Sequence, residues 1–169
     1  MKFNFWKKKA KLKEFELNRL REITSFLESM EKRMLEDLNT IIKGDYGLHK
    51  KHVKEEIHFF DFEIFVDGFG IHFYPMDSEN TQLGHKQLLP EYPNGFINDK
   101  DLKVYAEDFD DDWDRIDAYE EQLEKKVFDW FNVCWKKAGG LKVKGNHTLK
   151  IHDTEKWFDL RRQKWIDNN

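Results

Sequence analysis

Residues 56–76 carry the acid–base side chains that local geometry alone can bring together. Asp67 and Gly68 form a dipeptide that tolerates positive φ at both positions, which favours a type I′ turn between two strands. That turn sets a register in which Glu63 lies opposite His72, with a second carboxylate and a phenol on the same face. A carboxylate across from an imidazole can raise the imidazole pKa and orient the ring, although no nucleophile or oxyanion donor is identifiable nearby. The weak catalytic candidates are Glu63, His72, Asp61 and Tyr74.

The other face of this hairpin is apolar. Side chains alternate between the two sides of a strand, so the register collects aromatic and β-branched residues on one side. We expect this face to lie in the core, and solvent on it would contradict the architecture. The residues expected to be most buried are Phe60, Phe62, Ile64, Val66, Phe69, Ile71 and Phe73.

The histidines predict no metal site. His49 and His52 have i,i+3 spacing, and His147 and His152 form a second pair. A zinc site needs three or four converging ligands. The only cysteine, Cys134, lies in an apolar stretch where a thiol packs as a small apolar group. We therefore expect neither a metal nor another cofactor.

Residues 107–117 match a calcium-binding loop only in part. Asp110, Asp112 and Asp114 occupy positions one, three and five of such a loop, and Glu121, just beyond the run, occupies position twelve. Position six, which needs glycine for a sharp turn, is Arg115, and no helix precedes the run. A helix cap is the simpler interpretation, because carboxylates interact favourably with the exposed N–H groups of a helix N-terminus.

The same run has more negative charge than a cap needs. It contains seven carboxylates and one arginine, and clustered like charges repel one another unless a basic partner offsets them. That partner is either the chain's own basic segment, residues 2–13, or a cationic protein, although like-charge runs are more often simply solvated. The partner-binding candidates are Asp108, Asp110, Asp111, Asp112, Trp113, Asp114 and Asp117.

The first thirteen residues contain six lysines and no acid. Their interleaved aromatic residues are compatible with weak binding to an anionic membrane or to RNA, but a frayed basic arm is the simpler interpretation. The net charge of −4 makes nucleic acid a poor default partner for the whole protein. The arm lacks the apolar centre of a signal peptide, and no window is apolar enough for a transmembrane helix. We therefore expect a cytoplasmic protein without a transmembrane segment.

Hydrophobic periodicity predicts two long helices. Apolar residues recur at intervals of three and four residues over residues 14–42 and again over residues 113–138. Gly44 and Gly139 are placed to end these helices, because glycine readily takes the left-handed conformation that follows a helix.

Short strands are expected to extend the sheet of the hairpin. A closing helix is predicted to begin at Asp153 or Thr154, either of which can act as its N-cap. The predicted additional strands are residues 85–89, 102–106 and 147–152.

The predicted fold class is α+β. An antiparallel sheet, built from the hairpin at 56–76 and short strands, is packed by a long N-terminal helix and an aromatic-rich second helix, with a short C-terminal helix. The length predicts a single domain over residues 1–169, with residues 1–13 as a candidate flexible basic arm.

Three functional hypotheses from different classes follow. The first is a non-enzymatic protein that binds a basic protein, for example an immunity-type neutraliser of a toxin or nuclease, because acids steer encounter and aromatic rings supply contact area. The second is a small enzyme with an acid–base site on the Glu63 and His72 face of the hairpin. The third is an oligomeric structural protein, such as a homodimer joined through the apolar stretch 128–135.

Overall fold

The computed structural model describes residues 11–44, 57–65, 70–83, 87–90 and 104–167. Within these ranges the chain forms two α-helices and six strands, with short 3₁₀ turns at Ala106–Phe109 and Gly140–Lys142. The helices and strands are α1 (Glu14–Lys43), β1 (Phe59–Phe65), β2 (Gly70–Met76), β3 (Gln87–Leu89), α2 (Trp113–Lys137), β4 (Thr148–Ile151), β5 (Lys156–Asp159) and β6 (Lys164–Asp167). Neither helix combines the length and the apolar content needed to cross a membrane.

Both long helices lie where the periodicity predicts them. Helix α1 ends at Gly44, which has a φ of 82° and donates its N–H to the last turn of the helix. Helix α2 begins after Asp112, whose side chain accepts the N–H of Arg115 as an N-cap. The buried stripe of α1 consists of Leu20, Ile23, Leu27, Met34, Leu38 and Ile41, together with Glu16.

The hairpin has the predicted register. Strands β1 and β2 are antiparallel, with Glu63 opposite His72 and Asp61 opposite Tyr74. The turn residues 66–69, including Val66 and Phe69 of the predicted core, lie outside the described residues. The other five predicted core residues, Phe60, Phe62, Ile64, Ile71 and Phe73, are buried.

The sheet is mixed, so the prediction of a purely antiparallel sheet is wrong. Its strand order is β3-β2-β1-β4-β5-β6, and β4 runs parallel to β1 while the other pairs are antiparallel. Two parallel strands cannot be joined by a tight turn and need a long crossover, usually a helix. Here α2 lies between the first three strands and the last three, so the chain can return beside β1 in the same direction.

The predicted C-terminal helix is also wrong, because the chain forms the β5–β6 hairpin there. Asp153 has a φ of 60°, which belongs to a tight turn and not to a helix cap. Asp159 holds the next turn, where its Oδ1 accepts the N–H groups of Arg161 and Arg162. A turn at Asp153 and the turn held by Asp159 therefore replace the helix.

The other predicted strands are partly confirmed. Strand β3 pairs with β2 and begins at Gln87, while residues 84–86 lie outside the described residues. The predicted strand 102–106 is wrong over its described part, because Val104 and Tyr105 are not in a strand and Ala106 opens a 3₁₀ turn. The segment at 147–152 forms β4.

Helix α2 covers the phenylalanine face of the sheet, and α1 packs against α2. The Phe62 ring contacts Phe131 at 5.0 Å and Trp135 at 5.6 Å between centroids. The backbone of Gly140, just after α2, lies against the Trp135 ring, and a Cβ atom at this position would lie 2.1 Å from that ring. The end of α2 is therefore fixed over the core, and the opposite sheet face carries the polar residues.

Candidate functional site

The catalytic candidates lie on the sheet face opposite the phenylalanine core. Glu63 is 7% exposed and accepts a hydrogen bond from the Tyr74 hydroxyl at 3.2 Å. Its Oε1 atom also lies 3.0 Å from Lys150 Nζ and 2.9 Å from His152 Nδ1. We call Asp61, Glu63, His72, Tyr74, Thr148, Lys150 and His152 the polar seam, because they join β1 to β2 and β4.

Lys150 and His152 were missed by sequence reasoning. The segment 147–152 was expected to be a strand, but nothing in its pattern shows that it pairs in parallel with β1. The structure places Lys150 directly beside Glu63 in that pair. Cross-strand partners on one face are close neighbours, so the parallel pairing supplies Glu63 with two nitrogen donors.

His72 has the predicted register, and its side chain contacts Tyr74 and Phe65. Its Nδ1 atom lies 3.4 Å from the Tyr74 hydroxyl. The Phe65 ring lies between the two histidines, at 4.3 Å from the His72 centroid and 4.0 Å from the His152 centroid. Glu63, Tyr74 and His72 are thus linked by hydrogen bonds, while Asp61 is hydrogen-bonded to Thr148 of β4.

The pKa values of the two carboxylates of the polar seam are shifted in opposite directions. Burial raises the pKa of Asp61 to about 6, although Thr148 donates a hydrogen bond to its Oδ1 at 2.7 Å. Burial also acts to raise the pKa of Glu63, but hydrogen bonds from His152, Lys150 and Tyr74 outweigh it and hold that pKa below its ordinary value. Burial and the neighbouring Glu63 charge raise the pKa of Tyr74.

His147 lies on the core side of the sheet and not with His152. Its ring stacks on Phe60 at 4.5 Å, and its Nδ1 accepts the Phe60 backbone N–H at 3.0 Å. Its Nε2 lies 2.9 Å from the Lys144 carbonyl, so the neutral ring donates from Nε2. Burial lowers the pKa of His147. The pair His147 and His152 therefore does not converge on one point.

Metal coordination has no candidate within the described ranges. No three His, Cys, Asp or Glu side chains are placed there to share an ion. His49 and His52 lie outside the described residues. Cys134 is buried in α2, and burial raises its pKa to about 12, so its thiol stays protonated.

Some aspartates of the acidic run have structural roles. Asp108 accepts the backbone N–H of Tyr105 at 2.8 Å and thereby closes the 3₁₀ turn. Asp112 caps α2, as the charge pattern predicts for one of the aspartates.

Asp110 connects the acidic run to the start of α1. Its Oδ2 lies 2.7 Å from Lys13 Nζ and 3.3 Å from the Arg115 guanidinium, and these two cations hold the pKa of Asp110 below its ordinary value. Arg115 also pairs with Glu16 of α1, which is fully buried. Among residues 11–13, the described part of the basic segment, Lys13 thus pairs with a carboxylate of the acidic run.

The other carboxylates of the run are exposed, and so are aromatic rings within the run, before it and at the start of α1. Trp113 is 68% exposed, Tyr105 is 57% exposed, and Phe15 at the start of α1 is 41% exposed. Asp111, Asp114 and Asp117 are exposed as well, in addition to the aspartates with structural roles. We call Tyr105, Glu107, Asp108, Asp110, Asp111, Asp112, Trp113, Asp114 and Asp117 the acidic–aromatic surface.

The apolar end of α2 is largely used within the chain. Phe131, Cys134 and Trp135 are buried in the core. Phe128 stacks on Trp165 at 5.1 Å and meets Phe158 edge-on at 5.0 Å. The β5–β6 hairpin therefore covers the side of α2 that the sequence leaves as an apolar surplus.

The chain was compared with known proteins in three ways. Neither the family models, nor the curated protein sequences, nor the solved structures contain a match to this chain.

Proposed function

We propose that this chain is a non-enzymatic protein that binds a basic protein partner through the acidic–aromatic surface. The observation that carries the proposal is the exposure of Trp113 and Tyr105 within a short segment that also contains seven carboxylates. Large rings are more often buried than exposed, so two highly exposed rings beside exposed carboxylates in the sequence favour a contact surface.

The chemistry of the surface fits a cationic partner. Exposed carboxylates attract a basic patch over about 8–10 Å at physiological salt and so increase the rate of encounter. Trp and Tyr supply rigid contact area and accept Arg or Lys over the ring face. The surface therefore provides both steering and an anchor.

The same features favour an immunity-type role as the specific form of this binding. A neutraliser of a basic toxin or nuclease must capture its target quickly, and electrostatic steering raises association rates by orders of magnitude. We place this activity in the cytoplasm, where a single buried thiol such as Cys134 stays reduced.

Affinity capture tests the proposal with a surface variant that spares the structural aspartates. Replacing Asp111, Asp114 and Asp117 with lysine reverses the charge but keeps the Asp112 cap and the Asp110 ion pairs. We expect the unchanged protein to retain a basic protein from native lysate at low salt, in stoichiometric amount, and to release it at moderate salt. The surface variant should bind the same purified protein at least tenfold more weakly in calorimetry.

The control carries the same charge change elsewhere. Glu28, Glu79 and Glu155 are exposed, and replacing all three with lysine should leave the affinity unchanged. A second variant, Trp113→Ala, should weaken binding without changing its salt dependence. Equal loss in the control and surface variants would show that only net charge matters and would refute a specific surface.

The alternative function is a small enzyme that uses the polar seam. The observation in its favour is the 2.9 Å contact between Glu63 and His152, a carboxylate and imidazole pair of the kind used in acid–base catalysis. Binding remains the better explanation, because Glu63 and Asp61 are both more than nine-tenths buried and their oxygens are already engaged by donors of the chain. A His152→Gln variant with unchanged partner binding and no effect in substrate screens would count against catalysis.

A further inference from the structure

We propose that strand β6 is a self-association edge, at which a second copy of this chain adds its own β6 in antiparallel orientation. The two sheets then continue as one sheet across a two-fold axis. The inference does not depend on the function proposed above, because β6 contains none of the residues of the acidic–aromatic surface.

Strand β6 lies at one edge of the sheet and is open to solvent. It has β5 on one side and no described strand on the other. Lys164, Trp165 and Asp167 are exposed, and Ile166 is half-buried. Alternate residues of an antiparallel edge strand direct their N–H and C=O groups away from the neighbouring strand, so β6 offers backbone donors and acceptors to another strand.

The centre of β6 is apolar and incompletely covered. Trp165 is 47% exposed, although its ring stacks on Phe128 at 5.1 Å between centroids. Ile166 points to the opposite face of the sheet, because side chains alternate along a strand, and it lies across from Trp157 of β5. Ile166 and Trp157 are both half-buried. A strand added beside β6 therefore covers apolar surface on both faces of the sheet.

The charges at the two ends of β6 favour a second copy as the added strand. The strand begins with Lys164 and ends with Asp167, and within the described part of the chain neither side chain forms an ion pair. In an antiparallel pair of β6 strands, Lys164 of each copy lies close to Asp167 of the other, at about 6 Å between Cα atoms. A parallel pair would place like charges together. The strand is therefore complementary to itself only in the antiparallel orientation.

The size of the contact predicts its strength. Specific interfaces usually bury about 1,200–2,000 Å² in total, and two four-residue strands cover less. We therefore expect a reversible dimer with a Kd on the order of 10–100 μM.

Sedimentation equilibrium of the full chain, from low to high micromolar concentration, tests the pairing. Lys164→Glu and Asp167→Lys should each weaken dimerisation about fivefold to tenfold, because each variant places like charges at both ends of the strand pair. The double variant has opposite charges again and should dimerise like the unchanged chain. A folding defect in one variant would not be reversed by the second change. Glu28→Lys makes the same charge change as Asp167→Lys on exposed α1 surface and should leave the Kd unchanged.

Cysteine scanning tests the antiparallel orientation. A two-fold axis through an antiparallel pair brings one central residue opposite its own copy. Either Trp165→Cys or Ile166→Cys should therefore form a disulfide between copies on oxidation. Lys164→Cys and Asp167→Cys should not, because equivalent end residues lie at least about 8 Å apart between Cα atoms, beyond the reach of a disulfide. Cys134 is buried and takes no part.

Three outcomes would overturn the inference. The first is a monomer at every concentration. The second is a dimer that both single charge reversals leave unchanged, or that the double variant does not restore. The third is disulfide formation at equal rates at all four positions of β6, which would refute antiparallel pairing about its centre.

Discussion

The polar seam and the acidic–aromatic surface both contain several carboxylates, but these carboxylates are buried in the first region and exposed in the second. In the polar seam, Asp61 and Glu63 are buried; Asp61 accepts a hydrogen bond from Thr148 of β4, and Glu63 accepts one from Tyr74 of β2. On the acidic–aromatic surface, Asp111, Asp114 and Asp117 are exposed next to Trp113. The first arrangement joins the two halves of the sheet, while the second leaves charge available to another molecule.

The difference shows that acid content alone does not identify a functional site. A buried carboxylate is tolerated only with partners, so its neighbours are fixed by folding and their removal acts on stability. An exposed carboxylate contributes little to stability and acts over distance on encounter. Substitutions in the two regions should therefore separate stability from binding.

The largest effect is expected for Glu63→Ala. The change removes the common acceptor of Tyr74, Lys150 and His152, and we expect the free energy of unfolding to fall by about 3 kcal/mol. Urea unfolding followed by tryptophan fluorescence measures this loss. Glu155→Ala, which removes an exposed acid, should change it by less than about 0.5 kcal/mol. Similar values for the two variants would show that the polar seam does not hold the sheet together.

Asp61 should make a pH-dependent contribution that disappears in Asp61→Asn. Its pKa is raised from an ordinary 3.8 to about 6, so its contribution to stability is fully present below 3.8 and is lost as the pH rises through 6. The stability difference between the protein and the variant should therefore change by about 2–3 kcal/mol between pH 4 and pH 7, in favour of the protein at pH 4. Unfolding curves at both pH values measure this change, and a constant difference would contradict the buried state of Asp61.

His147 allows a test on the core side of the same strands. His147→Leu leaves the Phe60 N–H without its acceptor and should cost about 2 kcal/mol, whereas His147→Asn keeps an acceptor atom near the Nδ1 position and should cost less.

The lowered pKa of His147 also predicts the direction in which stability changes with pH. The unfolded chain binds the proton more readily, so stability falls as the pH drops below about 6.5, and the asparagine variant should lack this part of the fall. The charges of Asp159 and Arg161 act on this ring in opposite directions. Urea unfolding of the variants is measured at pH 7.5 and 5.5. Equal losses of unfolding free energy for the leucine and asparagine variants would refute a stabilising hydrogen bond between the Phe60 N–H and His147 Nδ1.

The features that sequence predicted correctly are local. The β1–β2 pairing has the register predicted from the sequence, and both long helices lie where apolar residues recur every three or four positions. The Asp112 cap follows from charge next to an apolar period. In each case neighbouring residues decide the structure, so no distant contact has to be known.

The features that sequence missed depend on distant pairing. Nothing in residues 148–151 states that β4 lies parallel to β1, and Lys150 and His152 reach Glu63 only through that pairing. A capping residue at Asp153 or Thr154 predicts a helix where the chain forms the β5–β6 hairpin, because aspartate and threonine favour tight turns as well as helix caps. The turn held by Asp159 decided between them, and its hydrogen bonds are visible only in the structure.

The smallest effect on stability is expected where the effect on binding is largest. Lysine at Asp111, Asp114 and Asp117 should lower the free energy of unfolding by no more than about 1 kcal/mol, mostly because Asp114 lies in the first turn of α2 and interacts favourably with the helix dipole. Urea unfolding of this variant and of the Glu28, Glu79 and Glu155 control should give similar midpoints, while only the former loses the partner. A loss comparable to that of Glu63→Ala would mean that these aspartates support the fold like those of the polar seam, and the contrast between the two regions would fail. A small loss together with weakened binding would assign to the two regions the separate roles of holding the sheet together and meeting a partner.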